Sequence, residues 1–279
     1  MNKIGFNLLA WSASVSPQLY PHIERLKAIG YDGIEIALAN RELNAYRDLA
    51  RLLGDLNLEV TAVGAASAEA NPISPDAGVR RKAVEELKQN IDFAHAAGAK
   101  ILCGPQHSAF AHFTRNAPQP DEYKWSAEVL HAVGEHAAQA DVTLALEALN
   151  RFECYLCNTM AQLKMLCDMA GHPNIRAMYD THHANIEEKS FAGAIDTIAP
   201  HLAHVHISEN DRGTPGAGHI DFDANFNCLQ EIAYQGWYTI EAFTRSDVTF
   251  ANAINVWREY SDTWEIAEQG YQYIKGKVQ

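Results

Sequence analysis

Thr143-Leu-Ala-Leu-Glu147-Ala-Leu149 is an apolar run with one carboxylate set inside it. The pattern returns twice more, in Ala177-Met-Tyr-Asp180-Thr181 and Thr239-Ile-Glu241-Ala-Phe243, and His204-Val-His206-Ile-Ser208 is a similar run with imidazole in place of the carboxylate. Short apolar runs of this kind read as strands covered on both faces, as in a parallel sheet. One polar side chain near the C-terminal end of each of four successive strands would gather all four on one side of a barrel. A buried carboxylate loses several kcal/mol of hydration unless a cation or partner compensates it. Four neighbours behaving alike therefore argue for a site rather than for separate structural ion pairs.

Reading outward from these runs gives eight repeats of strand then helix, with no Pro/Gly/Ser-rich linker between them. Strands are expected at Lys3–Leu9, Gly33–Leu38, Glu59–Ala65, Lys100–Gly104, Thr143–Leu149, Arg176–Asp180, Ala203–Ser208 and Tyr238–Phe243. Between them lie helical periods such as Ala77–Ala97, where Val79, Ala83, Leu87, Ile91 and Ala94 share a face and Gly98 supplies a stop. Two echoes, Ala28-Ile-Gly-Tyr-Asp-Gly33 and Ala233-Tyr-Gln-Gly-Trp-Tyr238, each end a helix and launch a strand through a glycine turn. The longest irregular stretches, Gly104–Pro120 and Glu209–Asp221, both follow strands, on the face where barrel enzymes keep their chemistry. The expectation is an α/β fold: one (β/α)8 TIM-barrel domain over residues 1–279, with an extra C-terminal helix after Asp262. The 279 residues and the 47% hydrophobic content suit a barrel of roughly 250 residues with one large core.

Acidic residues number 35 against 22 basic ones, for a formal charge of -13, and no Lys/Arg-rich run could track a phosphate backbone. Nucleic acid is not an expected partner. No apolar run approaches the ~20 residues needed to cross a membrane, and the N-terminus lacks a signal-peptide pattern, so a cytoplasmic protein is expected. The five cysteines fit a reducing compartment. Cys154 and Cys157 have the spacing of a redox pair or half a zinc site, but no second pair completes four ligands, and buried inert thiols are the better reading.

Glu147, Asp180, His206 and Glu241 would offer an oxygen-rich, hard donor set without thiolate, suited to Mn²⁺, Co²⁺ or Mg²⁺ rather than to structural zinc. A cation held by four protein ligands keeps positions for a carbonyl and an adjacent hydroxyl of a sugar. That acidifies the C–H bond between them, and the neighbouring carboxylates stand ready to take the proton.

Leu146-EALNRFECYLCN-Thr159, Tyr179-DTHHANIE-Glu188, His204-VHISENDRGTPGAGHID-Phe222 and Gly236-WYTIEA-Phe243 together resemble the ketose 3-epimerases of the D-tagatose and D-psicose type, within the xylose-isomerase-like barrel superfamily. The resemblance is specific from Leu146 to Phe243 and general up to about residue 140. It implies that Glu147, Asp180, His206 and Glu241 hold the metal, usually Mn²⁺ or Co²⁺. It further implies that Glu147 and Glu241 face C3 of the sugar from opposite sides and exchange its proton through a cis-enediolate. Physical reasoning agrees, because inverting a stereocentre needs a base on each face.

The same resemblance gives Glu153, His183 and Arg212 to the sugar oxygens near C1 and C2, with Arg212 and His183 damping charge on O2. The alternatives are an exposed Glu153–Arg151 pair, two packed histidines at 182 and 183, and a solvated loop arginine. Phe6, Trp11, Phe110, Phe113 and Phe243 are the aromatic candidates for the far end of the sugar, although aromatic residues near strand ends are more often core. His107 could reach the cleft or serve only its loop. Relatives of this kind form homodimers or homotetramers, so an assembly is expected.

Other enzymes of the superfamily could use the same residues: a hydroxypyruvate isomerase, a keto-inositol dehydratase, or an enzyme acting on 3-keto-glycosides. An endonuclease IV-like barrel would need histidine ligands where this chain has Ala65, Ala66 and Ser67, and an Asp-x-His pair where it has Asp211-Arg212-Gly213. A sugar-binding barrel without turnover would have no need of both Glu147 and Glu241. Glu209 and Asp211 would repel a phosphate dianion, which favours a free sugar.

Overall fold

In the computed structural model, which describes residues 2–278, all eight expected strands form and pair parallel in chain order into a closed barrel. They are β1 (Lys3–Asn7), β2 (Gly33–Ala37), β3 (Glu59–Val63), β4 (Ile101–Gly104), β5 (Thr143–Leu146), β6 (Ile175–Asp180), β7 (Leu202–Ile207) and β8 (Trp237–Ile240), and β1 closes on β8. Among the described residues there are ten α-helices: α1 (Tyr20–Ile29), α2 (Leu43–Leu56), α3 (Ala77–Ala97), α4 (Pro120–Ala140), α5 (Met160–Ala170), α6 (Thr181–Glu187), α7 (Phe191–Ile198), α8 (Phe222–Glu231), α9 (Val248–Ala253) and α10 (Thr263–Val278). None is long and apolar enough to cross a membrane.

Local chemistry sets the helix ends. The Asp76 carboxylate accepts from Gly78 N–H at the start of α3, and Gly98, at φ 89°, ends it at the expected residue. Thr159 and Gln162 form a reciprocal cap at the start of α5. The terminal helix begins one residue after Asp262, as the sequence predicts.

Several strands are shorter than the apolar runs suggest. β1 stops at Asn7 because the Asn7 side chain accepts from Leu9 N–H and turns the chain into a short 3-10 segment. β5 and β8 end one residue before Glu147 and Glu241. Each glutamate still donates its backbone N–H to the neighbouring strand, Glu147 to Gly104 O at 3.1 Å and Glu241 to Ile207 O at 3.2 Å. The two side chains therefore keep the inward phase of their strands while standing at the rim.

Alternation divides the strand residues into two groups. Outward-facing ones such as Phe6, Ile34, Leu144, Tyr179, Val205 and Tyr238 join the helices in the main core. Inward-facing Val63, Cys103, Ala145 and Met178 form a small apolar group with Leu9. Beside it the barrel interior is polar: Asn7, Glu35, Thr61, His204, His206 and Thr239 are all enclosed. A barrel interior is ordinarily filled by branched apolar side chains.

Gly104 is one position where only glycine fits. Its φ is +114°, and an added Cβ would lie 2.2 Å from the carbonyl oxygen of Gly64. Because Gly104 O also receives the Glu147 amide, Gly104→Ala is expected to cost at least about 1 kcal/mol of stability and to displace Glu147. Thermal unfolding measures the first effect and metal titration the second.

Candidate active site

The ends of β5, β6, β7 and β8 bring Glu147, Asp180, His206 and Glu241 together, one donor atom from each lying within 4.8 Å of the others. Nδ1 of His206 is 3.6 Å from Oδ2 of Asp180 and 3.5 Å from Oε1 of Glu241. Asp180 is doubly committed: Oδ1 caps α6 by accepting from the amides of His182 and His183, while Oδ2 accepts from the Ser208 hydroxyl at 2.9 Å. Glu241 accepts from Asn7 Nδ2 on Oε1 and from Arg212 Nη1 on Oε2. Of the donor atoms on these four side chains, two are buried without a hydrogen-bond partner, Oε1 of Glu147 and Nδ1 of His206.

Arg212 comes from the loop after β7 and reaches inward, its guanidinium packed on the Phe243 ring at 4.7 Å. Its backbone sits at φ 64°, a left-handed conformation rare for a non-glycine residue. The loop is shaped by Glu209, whose buried carboxylate accepts from the amides of Asn210, Gly216 and Ile220. Arg212 is the one Lys or Arg buried among the described residues. It donates to Glu241 at 2.9 Å and to Asp180 at 3.3 Å, and its Nη2 lies 3.0 Å from Nε2 of His183.

His183 accepts the Asn150 amide on Nδ1, which leaves the ring proton on Nε2, and that atom is 3.5 Å from Oε1 of Glu147. Glu153 accepts from Asn150 Nδ2 rather than from Arg151, which pairs with Glu187 instead. Glu153, His182, His183, Arg212, Glu147 and Glu241 all line one cavity of about 490 Å³, a size suited to a small molecule.

The electrostatics follow from enclosure. Burial, reinforced by the charge of Glu241, holds the Glu147 carboxyl well above the ordinary carboxylate range. Burial would raise Asp180 too, but Arg212 and then His183 outweigh it and bring that carboxyl well below its usual value. Burial keeps His183 well below the ordinary imidazole value, so it is neutral. Glu153 is raised, again chiefly by burial.

Residues 23–266 match the xylose isomerase-like TIM barrel family. The chain belongs to that family. It is 31% identical over 98% of its length to the L-ribulose 3-epimerase of Methylomonas sp., covering 96% of that protein. It is 29% identical over 95% of its length to the D-psicose 3-epimerase of Agrobacterium fabrum, covering 93% of it. The crystal structure of a D-allulose 3-epimerase from Methylomonas sp. in complex with D-allulose superposes with a TM-score of 0.92 at 29% identity, over 99% of this chain and 97% of that one. Within the xylose isomerase-like barrels the chain is thus of the ketose 3-epimerase type, an isomerase that epimerises a sugar.

The family's aromatic wall is only partly where the sequence suggests. Phe110 and Phe243 line the cavity, joined by Phe250 and Tyr260 from the segment after β8. Phe6 lies in the outer core against Trp11 and Tyr31, Trp11 stacks on His22 and packs at a tilt against Trp264, and Phe113 pairs with Tyr155; these three do not line the cavity. Strand phase is the reason for Phe6, which is one residue out of step with the inward-facing Asn7. Cys154 and Cys157 are free and buried, and enclosure pushes the Cys157 thiol well above its usual value.

His107 also stays out of the cavity. Its Nε2 donates to the carbonyl of Glu147 at 2.8 Å and its Nδ1 faces the Ser108 hydroxyl, and burial lowers it to about 4. The unfolded chain takes up this proton near pH 6.5 and the folded chain only near 4, so the contribution is complete above 6.5 and is lost as pH falls. In the metal-free protein, the stability difference between the wild type and His107→Asn should shrink by on the order of 3 kcal/mol from pH 7 to pH 4, read by denaturant unfolding.

Asn7, Glu35 and Asn150 carry the site from behind, and the sequence reading passed over them. Glu35 was open to the same test as the four clustered residues, since Gly33-Ile-Glu35-Ile-Ala37 is also an apolar strand with a carboxylate inside. Asn7 and Asn150 are uncharged, and only their contacts reveal them.

Proposed function

We propose that this chain epimerises a free ketose at C3, using one divalent cation held by Glu147, Asp180, His206 and Glu241. One observation carries the reading: four buried carboxylates, those of Glu35, Glu147, Asp180 and Glu241, crowd around His206 with a single buried guanidinium among them. Negative charge in such excess calls for a cation in a low-dielectric interior. The unpartnered lone pairs of Glu147 and His206 are the atoms that would receive it. The donor set, oxygen-rich with one imidazole, fits Mn²⁺, Co²⁺ or Mg²⁺. Such a cation would stabilise the negative charge that develops on the carbonyl oxygen next to the reacting carbon.

The chain's own groups do the rest. Glu147 and Glu241 stand one residue past the ends of β5 and β8, which are separated around the barrel by β6 and β7, so they can face C3 from two sides. One takes the proton and the other returns it, leaving the configuration inverted. Which of the two starts as the base depends on the epimer supplied, and the roles exchange in the reverse direction. Arg212 and His183 present N–H groups to the O2 oxygen, where charge develops as the proton leaves. Glu153 accepts from sugar hydroxyls, and Phe110, Phe243 and Phe250 keep water from the far end of the substrate. Asp211 on the cavity wall disfavours a phosphorylated sugar. Assembly into dimers or tetramers belongs to the same reading, and exposed Phe152 and Trp257 are side chains that such contacts would cover.

A panel of free ketohexoses, ketopentoses and 3-keto-glycosides, each incubated with Mn²⁺ or Co²⁺ in deuterated water, tests the proposal. The expected result is one ketose giving its C3 epimer with deuterium at C3. Absence of both product and label across the ketoses would refute it, and label at C4 of a 3-keto-glycoside would replace it with a 4-epimerase.

A further inference from the structure

Glu35 lies at the centre of the barrel, wholly enclosed, and the chemistry above does not use it. Both of its oxygens are occupied. Oε1 accepts from Nε2 of His206 at 2.7 Å and from Nδ2 of Asn7 at 2.9 Å. Oε2 accepts from the Thr61 hydroxyl at 2.8 Å and from the Cys103 thiol at 3.2 Å. Nε2 of His204 is 2.9 Å from Oε2 but outside hydrogen-bond geometry.

Glu35, Cys103, His204 and His206 also stand close enough to be read as a second cation site. The surroundings argue against that. Asn7 and Thr61 point N–H and O–H groups at the same carboxylate, and a cation there would meet donors on two sides while displacing the short His206 contact. A carboxylate ringed by donors is an acceptor in its own right.

The consequence falls on His206. A proton held on Nε2 by Glu35 leaves Nδ1 as a bare lone pair, and Nδ1 is the enclosed, unpartnered atom that faces Asp180 and Glu241. Asn7 spans the two layers, one N–H going to Glu35 and the other to Oε1 of Glu241.

We propose that Glu35 is the positioning residue of the cation centre: it fixes the tautomer and the ring direction of His206, and through Asn7 it steadies the Glu241 carboxylate. Carboxylates behind metal-binding imidazoles act in this way in many proteins, orienting the ring and raising its basicity. The inference rests on the four-ligand cation site of the preceding section, and its test reads metal binding rather than turnover.

Metal-free wild type, Glu35→Gln and Thr61→Val are titrated with Co²⁺ and Mn²⁺ in competition with a chromophoric chelator, and the visible spectrum of the Co²⁺ form is recorded. Glu35→Gln should weaken Co²⁺ binding about 10- to 100-fold and alter the Co²⁺ spectrum. Thr61→Val removes another bond to the same carboxylate without touching His206, and should change thermal stability while leaving the spectrum as it is. A folded Glu35→Gln protein with Co²⁺ affinity within about twofold of wild type and an unaltered spectrum overturns the proposal. If Glu35→Gln does not fold, ¹⁵N-histidine spectra of the Mg²⁺-loaded wild type decide: a protonated Nε2 on His206 supports it, and a protonated Nδ1 overturns it. A wild type that binds neither Co²⁺ nor Mn²⁺ removes the cation site itself, an outcome distinct from a site that binds but ignores Glu35.

Discussion

Glu241→Gln is expected to lose C3 epimerisation while keeping a cation. Glutamine preserves the size of the side chain and one ligating oxygen, and the other three donors stay in place. The amide cannot accept the C3 proton, so epimer formation should fall by at least 10²–10⁴-fold, the range of a positioned general base. Metal affinity should fall by less, since an oxygen and three other donors remain, and it falls at all because the amide NH₂ must face either the Arg212 guanidinium or the Asn7 amide, both donors already. A two-base site makes a sharper prediction still. With Glu241 disabled, Glu147 can still remove and return the proton on its own face, so one epimer should exchange C3 hydrogen with deuterated water without inverting. Glu147→Gln should show the same behaviour with the other epimer. Mass spectrometry of each sugar after incubation reads both results, and normal epimerisation by either variant would exclude the two-base scheme.

Arg212→Ala should separate catalysis from metal binding in the opposite sense. The guanidinium is buried and bonded to the carboxylates of Asp180 and Glu241. Its removal takes a positive charge away from the place a divalent ion would occupy, so metal affinity should hold or rise. The same removal strips the N–H donors proposed to face O2 and opens the packing on Phe243. A fall of about 10²–10³ in kcat/KM is the expected size for one preorganised donor at a developing oxyanion. Arg212→Lys should recover little, since the bonds to Asp180 and Glu241 depend on the planar fork of guanidinium nitrogens. An unchanged kcat/KM would remove Arg212 from the site, and a lost cation would show its role to be structural.

The clustering of Glu147, Asp180, His206 and Glu241 was legible at the ends of β5 to β8, because a carboxylate or imidazole inside an apolar strand is a local signal that needs no knowledge of neighbours. The same signal was present in β2 at Glu35 and was not followed. Phe6 and Trp11 failed as cavity residues for a local reason too: an aromatic side chain near a strand end reads alike whether it faces the lumen or the helices, and only strand phase separates the two. Glu153 lay between these cases, since only the fold pairs Arg151 with Glu187 and leaves Glu153 facing the cavity.

By itself the sequence determined the eight-fold alternation of strand and helix, the positions of the four donors and the closing helix, because periodicity, caps and the cost of burying charge act over a few residues. Only the tertiary structure decided which oxygen of each carboxylate is already committed, how Arg212 enters from a loop in a left-handed backbone conformation, and that Asn7 and Glu35 stand behind His206 and Glu241. Those facts depend on contacts between residues up to 234 positions apart, and barrel closure, which no single segment encodes, is what brings them within hydrogen-bond reach.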